Sequence, residues 1–130
     1  DVLINVPIAK HHSLTRLSLG LKHMMGIMGG NRGYIPRNIE DALVDISKAV
    51  KSHLTVIDAT RILLDHGPQG GNLKDVKITN KIIASRDIVA ADAYATTLFG
   101  LNPTEIASTV TASRRGLGEI SLAKIKVIKA

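Results

Sequence analysis

The chain contains no cysteine. That excludes a disulfide, a thiolate metal site and an iron–sulfur cluster held by its own residues. It is equally compatible with any redox compartment. Tryptophan is also missing, and the aromatics are Tyr34, Tyr94 and Phe99 alone. The core must therefore be built from Leu, Ile, Val, Ala and Met. So few aromatics leave little on which nucleic-acid bases would stack. No run approaches the roughly 18 apolar residues of a membrane span, and no signal peptide is visible. No serine sits between glycines at a strand-to-helix elbow: Ser85 is followed by Arg86 and Asp87. The sequence argues against covalent hydrolase chemistry on that ground.

What is present is ordinary for a globular protein, with 45% hydrophobic and 22% charged residues in a chain of 130. That length supports one domain with a real core, residues 1–130. The net charge of +6 reads either as a solvated basic surface or as a preference for an anionic ligand or partner. The basic residues are scattered rather than blocked, which argues against nucleic acid. The chain begins at Asp1, without Met, directly inside an apolar run. The expectation is a fragment of a longer chain. Its sheet would then lack some neighbours, and open strand edges would favour a homodimer.

Hydrophobic periodicity predicts the elements. A buried strand is expected over Val2 to Pro7. Leu14, Leu17, Leu21, Met24 and Met28 form a helical stripe, with Ser13 as its cap. Gly20 weakens that helix by about 1 kcal/mol relative to Ala. GGNRGYIPRN, residues 29–38, reads as a loop. A second helix begins at Asn38, with Glu40 and Asp41 in its first turn. Strands follow at Leu54 to Ala59 and, buried, at Lys81 to Ser85, with a short extended piece at Lys74 to Thr79. Asp87 caps a helix over Ile88 to Phe99. Another helix starts at Asn102-Pro103-Thr104-Glu105 and ends before Gly116. AKIKVIK, residues 123–129, reads as a final half-exposed strand. The alternation predicts a layered α/β domain, with a mainly parallel or mixed sheet flanked by helices.

Three clusters carry chemistry. Lys10, His11 and His12 end the first strand, and Lys22 and His23 follow on the expected helix. Strand ends are where α/β proteins place ligands. On that helix Thr15, Lys22 and Gly26 share a side, and its N–H groups at Ser13 would add to an anion site. The alternative is a solvated loop with surface histidines. A metal site would need a third ligand such as Asp58 or Asp87. The second cluster is Asp58 with the loop Gly67-Pro68-Gln69-Gly70-Gly71. It lacks the Lys-Ser/Thr of a phosphate loop and reads as a turn. In the third, Asp87 is explained as a helix cap. Asp92 shares the apolar face of Ile88, Ala95 and Phe99, so it is expected to be buried with a partner. That partner is a Lys or Arg, or else a metal or substrate.

Asn5-Val6-Pro7, Lys10, His12, Leu14-Thr15, Lys22 and Gly26 resemble the opening motif of the family called domain of unknown function 362. Ile57-Asp58-Ala59 with Gly67-Pro68 and Gly70 resembles its middle motif. Ala84-Ser85, Asp87, Ala90, Asp92 and Gly100 resemble its third, and Gly116 and Gly118 its closing glycines. The resemblance implies a bacterial or archaeal α/β domain in a redox neighbourhood. Such domains are often joined to ferredoxin-like iron–sulfur domains or carry a twin-arginine export signal. It supplies no reaction, and leaves open whether the protein is an enzyme and whether it is cytoplasmic or exported. The expected function is a ligand- or metal-binding domain in an iron–sulfur-associated pathway. Lys10, His12, Thr15, Lys22, Gly67 and Gly70 would hold a small anionic ligand. His11, His12, Asp58, Asp87 and Asp92 would hold a divalent metal. The alternative is a non-catalytic module that docks onto an iron–sulfur electron-transfer protein.

Overall fold

The computed structural model describes residues 1–30 and 38–130. Of the loop expected at 29–38, residues 31–37 lie outside the described residues. The central strand is β4 (Leu54–Leu63). Its inward positions Thr55, Ile57, Ala59 and Ile62 are buried. The strand runs four residues further than expected, and a register irregularity between Ala59 and Arg61 moves the next inward position to Ile62. One edge of β4 is lined in parallel by β1 (Ile4–Asn5) and β2 (Ile8–His12). These two are interrupted at Val6-Pro7, because proline has no N–H for a ladder. The Pro7 carbonyl still accepts the Asp58 N–H at 2.8 Å.

Two antiparallel pairings complete the mixed sheet. β3 (Arg16–Ser18) folds back on β2, and β5 (Val76–Ser85) lies along the other edge of β4. The helices are α1 (Gly20–His23), α2 (Ile39–Ala49), α3 (Ile88–Thr97) and α4 (Ala107–Arg114). α3 lies against β4 and β5, α1 and α4 pack on α3, and α2 packs on α4. The core forms between them: Ile57, Ala59, Ile62, Ala91 and Ala95 on the sheet side, and Leu21, Met24, Val44, Val89 and Ala112 among the helices. The α/β class with a mixed sheet and packed helices is as expected.

Among the described residues no helix covers the other face of the sheet. Ile4, Val6 and Ile8 are 53%, 55% and 57% exposed, and Ile82 is 68% exposed. Lys81 to Ser85 is therefore not a buried central strand but half of an edge strand. Its Ile83 reaches the core while Ile82 faces outward. No helix among the described residues is long and apolar enough to cross a membrane.

Two further expectations are overturned. No helix starts at Ser13. Residues 13–15 form the turn of the β2–β3 hairpin, where the His12 ring accepts the Leu14 N–H and the Thr15 hydroxyl donates to the Leu17 carbonyl at 2.9 Å. Arg16 takes a left-handed φ of 61° and bonds the Glu105 carboxylate at 3.2 Å. Leu17, Leu19 and Leu21 are buried while Leu14 is 56% exposed. The period-2 pattern wins over the helical stripe. AKIKVIK is likewise not a strand. The chain turns at Ser121, whose carbonyl accepts the Lys124 N–H, and residues 125–130 then border a groove with β5 and Tyr94 without pairing. An alternating pattern specifies an inner and an outer face, not a neighbour.

Candidate functional site

The short helix α1 is held in place by two residues distant in sequence. Asp92 of α3, 2% exposed, accepts the Gly20 N–H at 2.7 Å and the Leu21 N–H at 3.0 Å. Its partner is thus neither a cation nor a metal but the open first turn of a helix, whose N–H groups have no intrahelical acceptor. Burial pushes the Asp92 carboxyl up to about 7, against the lowering pull of those two N–H groups. Asn5 of β1, also buried, donates from Nδ2 to the Gly20 carbonyl at 3.0 Å, and its Oδ1 lies 2.6 Å from His23 Nδ1. Gly20 is needed at this joint. A Cβ there would stand 2.7 Å from Asp92 Oδ1, 3.0 Å from Ile88 Cγ1 and 3.1 Å from Thr55 Cγ2.

So braced, α1 carries Lys22 and His23 to the end of β2, within electrostatic reach of Lys10 and His12. Three of these groups titrate low. Lys22 is lowered by partial burial and then by the Lys10 charge. His12 is lowered by burial, then by Lys22, Lys10 and His11. His23 is lowered by burial and then by Lys10. No carboxylate counters the repulsion in any of the three, and neither lysine ion-pairs among the described residues. Two ammonium groups thus act on one another and on two imidazoles that are kept neutral at pH 7. Like charges held together without a counter-charge favour binding of an anion.

The remaining expected site residues lie elsewhere. His11 turns toward the glycine-rich loop: its Nδ1 accepts the Gly67 N–H at 3.1 Å and its Nε2 is 3.9 Å from Asp65. A Cβ on Gly67 would overlap the His11 carbonyl, so this glycine serves close packing of loop against strand. Gly70 lies in the same loop, where the atom nearest to its Cβ direction is the His66 carbonyl, 3.8 Å away. Thr15 is committed to the hairpin turn. Asp87 accepts the Val89, Ala90 and Glu119 N–H groups, which makes it the cap of α3 and a tie to the chain after α4. Asp58 flanks the buried Ile57 and Ala59 and so faces the exposed side of the sheet, away from α1. Its carboxyl sits below the usual range because the Thr60 N–H and hydroxyl both donate to it. The expected metal set of His11, His12, Asp58, Asp87 and Asp92 is therefore dispersed. Among the described residues no three His, Asp or Glu side chains gather as a metal-holding group. Nearness to strand ends was legible in the sequence; the face of the sheet was not.

Asn5 was missed as a site residue. The signal was available, because a single amide inside the run VLINVPI must find partners once buried.

The family model described as Domain of unknown function (DUF362) matches residues 1–97. The chain is also 27% identical over 125 residues to a protein of Synechocystis sp. named thylakoid-associated protein sll1697, a match that covers 90% of this chain and 38% of that protein. The chain thus spans well under half the length of this curated relative. No solved structure matches it.

Proposed function

This chain belongs to the family described as Domain of unknown function (DUF362), and on that premise we propose that it is a ligand-binding domain whose site takes a small anion. The observation that supports this reading is the mutual electrostatic reach of Lys10, Lys22, His12 and His23 with no carboxylate among the causes of the low titration. Lys10 and Lys22 supply the charge, and His12 supplies a further donor. The redox setting that the resemblance implies belongs to the same proposal. A chain without cysteine carries no cluster of its own, so iron–sulfur chemistry enters through a ferredoxin-like domain or partner. Calorimetric titration with inorganic phosphate and with sulfate at low ionic strength tests the site. Binding of at least one anion is expected, and Lys10→Ala or Lys22→Ala should each weaken it tenfold or more. Both lysines are at least partly solvated, so the melting temperature should stay within about 2 °C, as for surface substitutions that cost no more than about 0.5 kcal/mol. Absence of binding for both anions sinks the reading.

A second reading, a non-catalytic module that docks onto an iron–sulfur electron-transfer protein, is favoured by the exposed apolar face of the sheet. Ile4, Val6, Ile8 and Ile82 form an apolar centre there. Contiguous exposed apolar surface marks interaction sites. Ile8→Lys with Ile82→Lys should abolish binding of a ferredoxin-like protein in light scattering while leaving phosphate titration unchanged. A pair of copies that dissociates on the same substitutions would instead make the face a homodimer interface.

A further inference from the structure

The two histidines of the site are held by the chain in opposite tautomers. His12 Nδ1 accepts the Leu14 N–H at 3.1 Å. That nitrogen carries no proton, so the neutral ring bears its proton on Nε2 and is a donor. His23 is the reverse. The Asn5 amide is oriented by its Nδ2 bond to the Gly20 carbonyl, which leaves Oδ1 facing His23 Nδ1 at 2.6 Å. An amide oxygen only accepts, so His23 carries its proton on Nδ1. Its Nε2 is a lone pair with no partner among the described residues. The low titration of His23 keeps that lone pair available at neutral pH. Within electrostatic reach of one another, the chain therefore presents three donors, Lys10, Lys22 and His12, and one acceptor, His23 Nε2.

We infer that His23 is the acceptor that selects the ligand, and that the ligand class is an oxyanion bearing an O–H group, for which hydrogen phosphate is the simplest member. Asn5 is the positioning residue that fixes the His23 tautomer. The inference rests on the anion-binding reading and narrows it. A fully deprotonated oxyanion of the same size and charge would place an oxygen against the Nε2 lone pair and leave both without a proton to share. Sites with a fixed hydrogen-bond requirement reject such analogues strongly, because a polar group is left unpaired.

Sulfate and phosphate differ in this one proton, so they are the probes. At pH 7.5 the wild-type chain should bind phosphate at least tenfold more tightly than sulfate. His23→Leu should bring the ratio near one through loss of phosphate affinity, with sulfate affinity held by Lys10 and Lys22. Asn5→Ala, which frees the tautomer, should lower the ratio with the ring still present. Independently of binding, long-range proton–nitrogen NMR should show His23 protonated on Nδ1 and His12 on Nε2. Equal affinities in the wild type overturn the inference and leave the anion site standing. So does a preference that survives His23→Leu, or a His23 protonated on Nε2. Failure of both anions to bind removes the site itself.

Discussion

Asp92→Ala is expected to destabilise the protein by about 3 kcal/mol or more. The substitution strands two buried N–H groups, Gly20 and Leu21, each at roughly 1–3 kcal/mol, and leaves a hole in a packed joint. On a domain of this size the melting temperature should fall by on the order of 10 °C. The carboxyl also adds a pH dependence. Its folded value is raised to about 7 from an ordinary 3.8. Between about pH 4 and pH 7 the folded protein binds a proton that the unfolded chain has released. The stability this group contributes is therefore full below about pH 4, falls as pH rises toward 7, and is flat above. Melting curves from pH 4 to 8 should show that component in the wild type and not in Asp92→Asn. His12 and His23 act oppositely, since their lowered values make stability rise with pH toward their ordinary 6.5. The wild-type minus Asp92→Asn difference removes their share. Identical pH profiles would mean that Asp92 does not titrate in this window.

Gly20→Ala is expected to destabilise by about 2 kcal/mol, as overpacking at a tight contact does. Helix propensity alone gives the opposite sign, since Ala is favoured over Gly by about 1 kcal/mol. The structure reverses it because the added methyl meets Asp92, Ile88 and Thr55 at 2.7–3.1 Å. The two substitutions share one joint, so they should not add. Asp92→Ala removes the atom nearest to the new methyl, and the double variant should be less destabilised than the sum of the singles. Denaturant midpoints of the four proteins check this. A stabilised Gly20→Ala would show that α1 shifts freely and is not clamped. The anion site should follow the clamp: Gly20→Ala should also weaken phosphate binding, although position 20 presents no side chain to the ligand.

The elements most legible in the sequence were those with local signals. Asn38 and Asp87 mark the starts of α2 and α3, and Asn102-Pro103 with Glu105 forms a capping box that closes as expected, although the helix after it begins only at Ala107. The strand at Leu54 was legible from its apolar run. The hairpin at residues 13–15 was not, because Leu14, Leu17 and Leu21 fit a helix while Leu17, Leu19 and Leu21 fit a strand. Nothing local chooses between them. The left-handed Arg16 and its tie to Glu105, 89 residues away, belong to the folded chain.

The sequence by itself determined the α/β class, the caps and the absence of cluster-binding thiols. These follow from residue type and short-range spacing, which any conformation of the segment carries with it. The tertiary structure alone decided that α1 brings Lys22 and His23 within electrostatic reach of Lys10, that Asp58 faces away from α1, that Asp92 caps a helix rather than binding a metal or a cation, and that His23 lies against Asn5. Each depends on which face of the sheet the helices cover and on hydrogen bonds between segments 15 to 72 residues apart. Periodicity gives a strand two faces without saying which one will be buried. A buried polar group must find a partner, but packing chooses which.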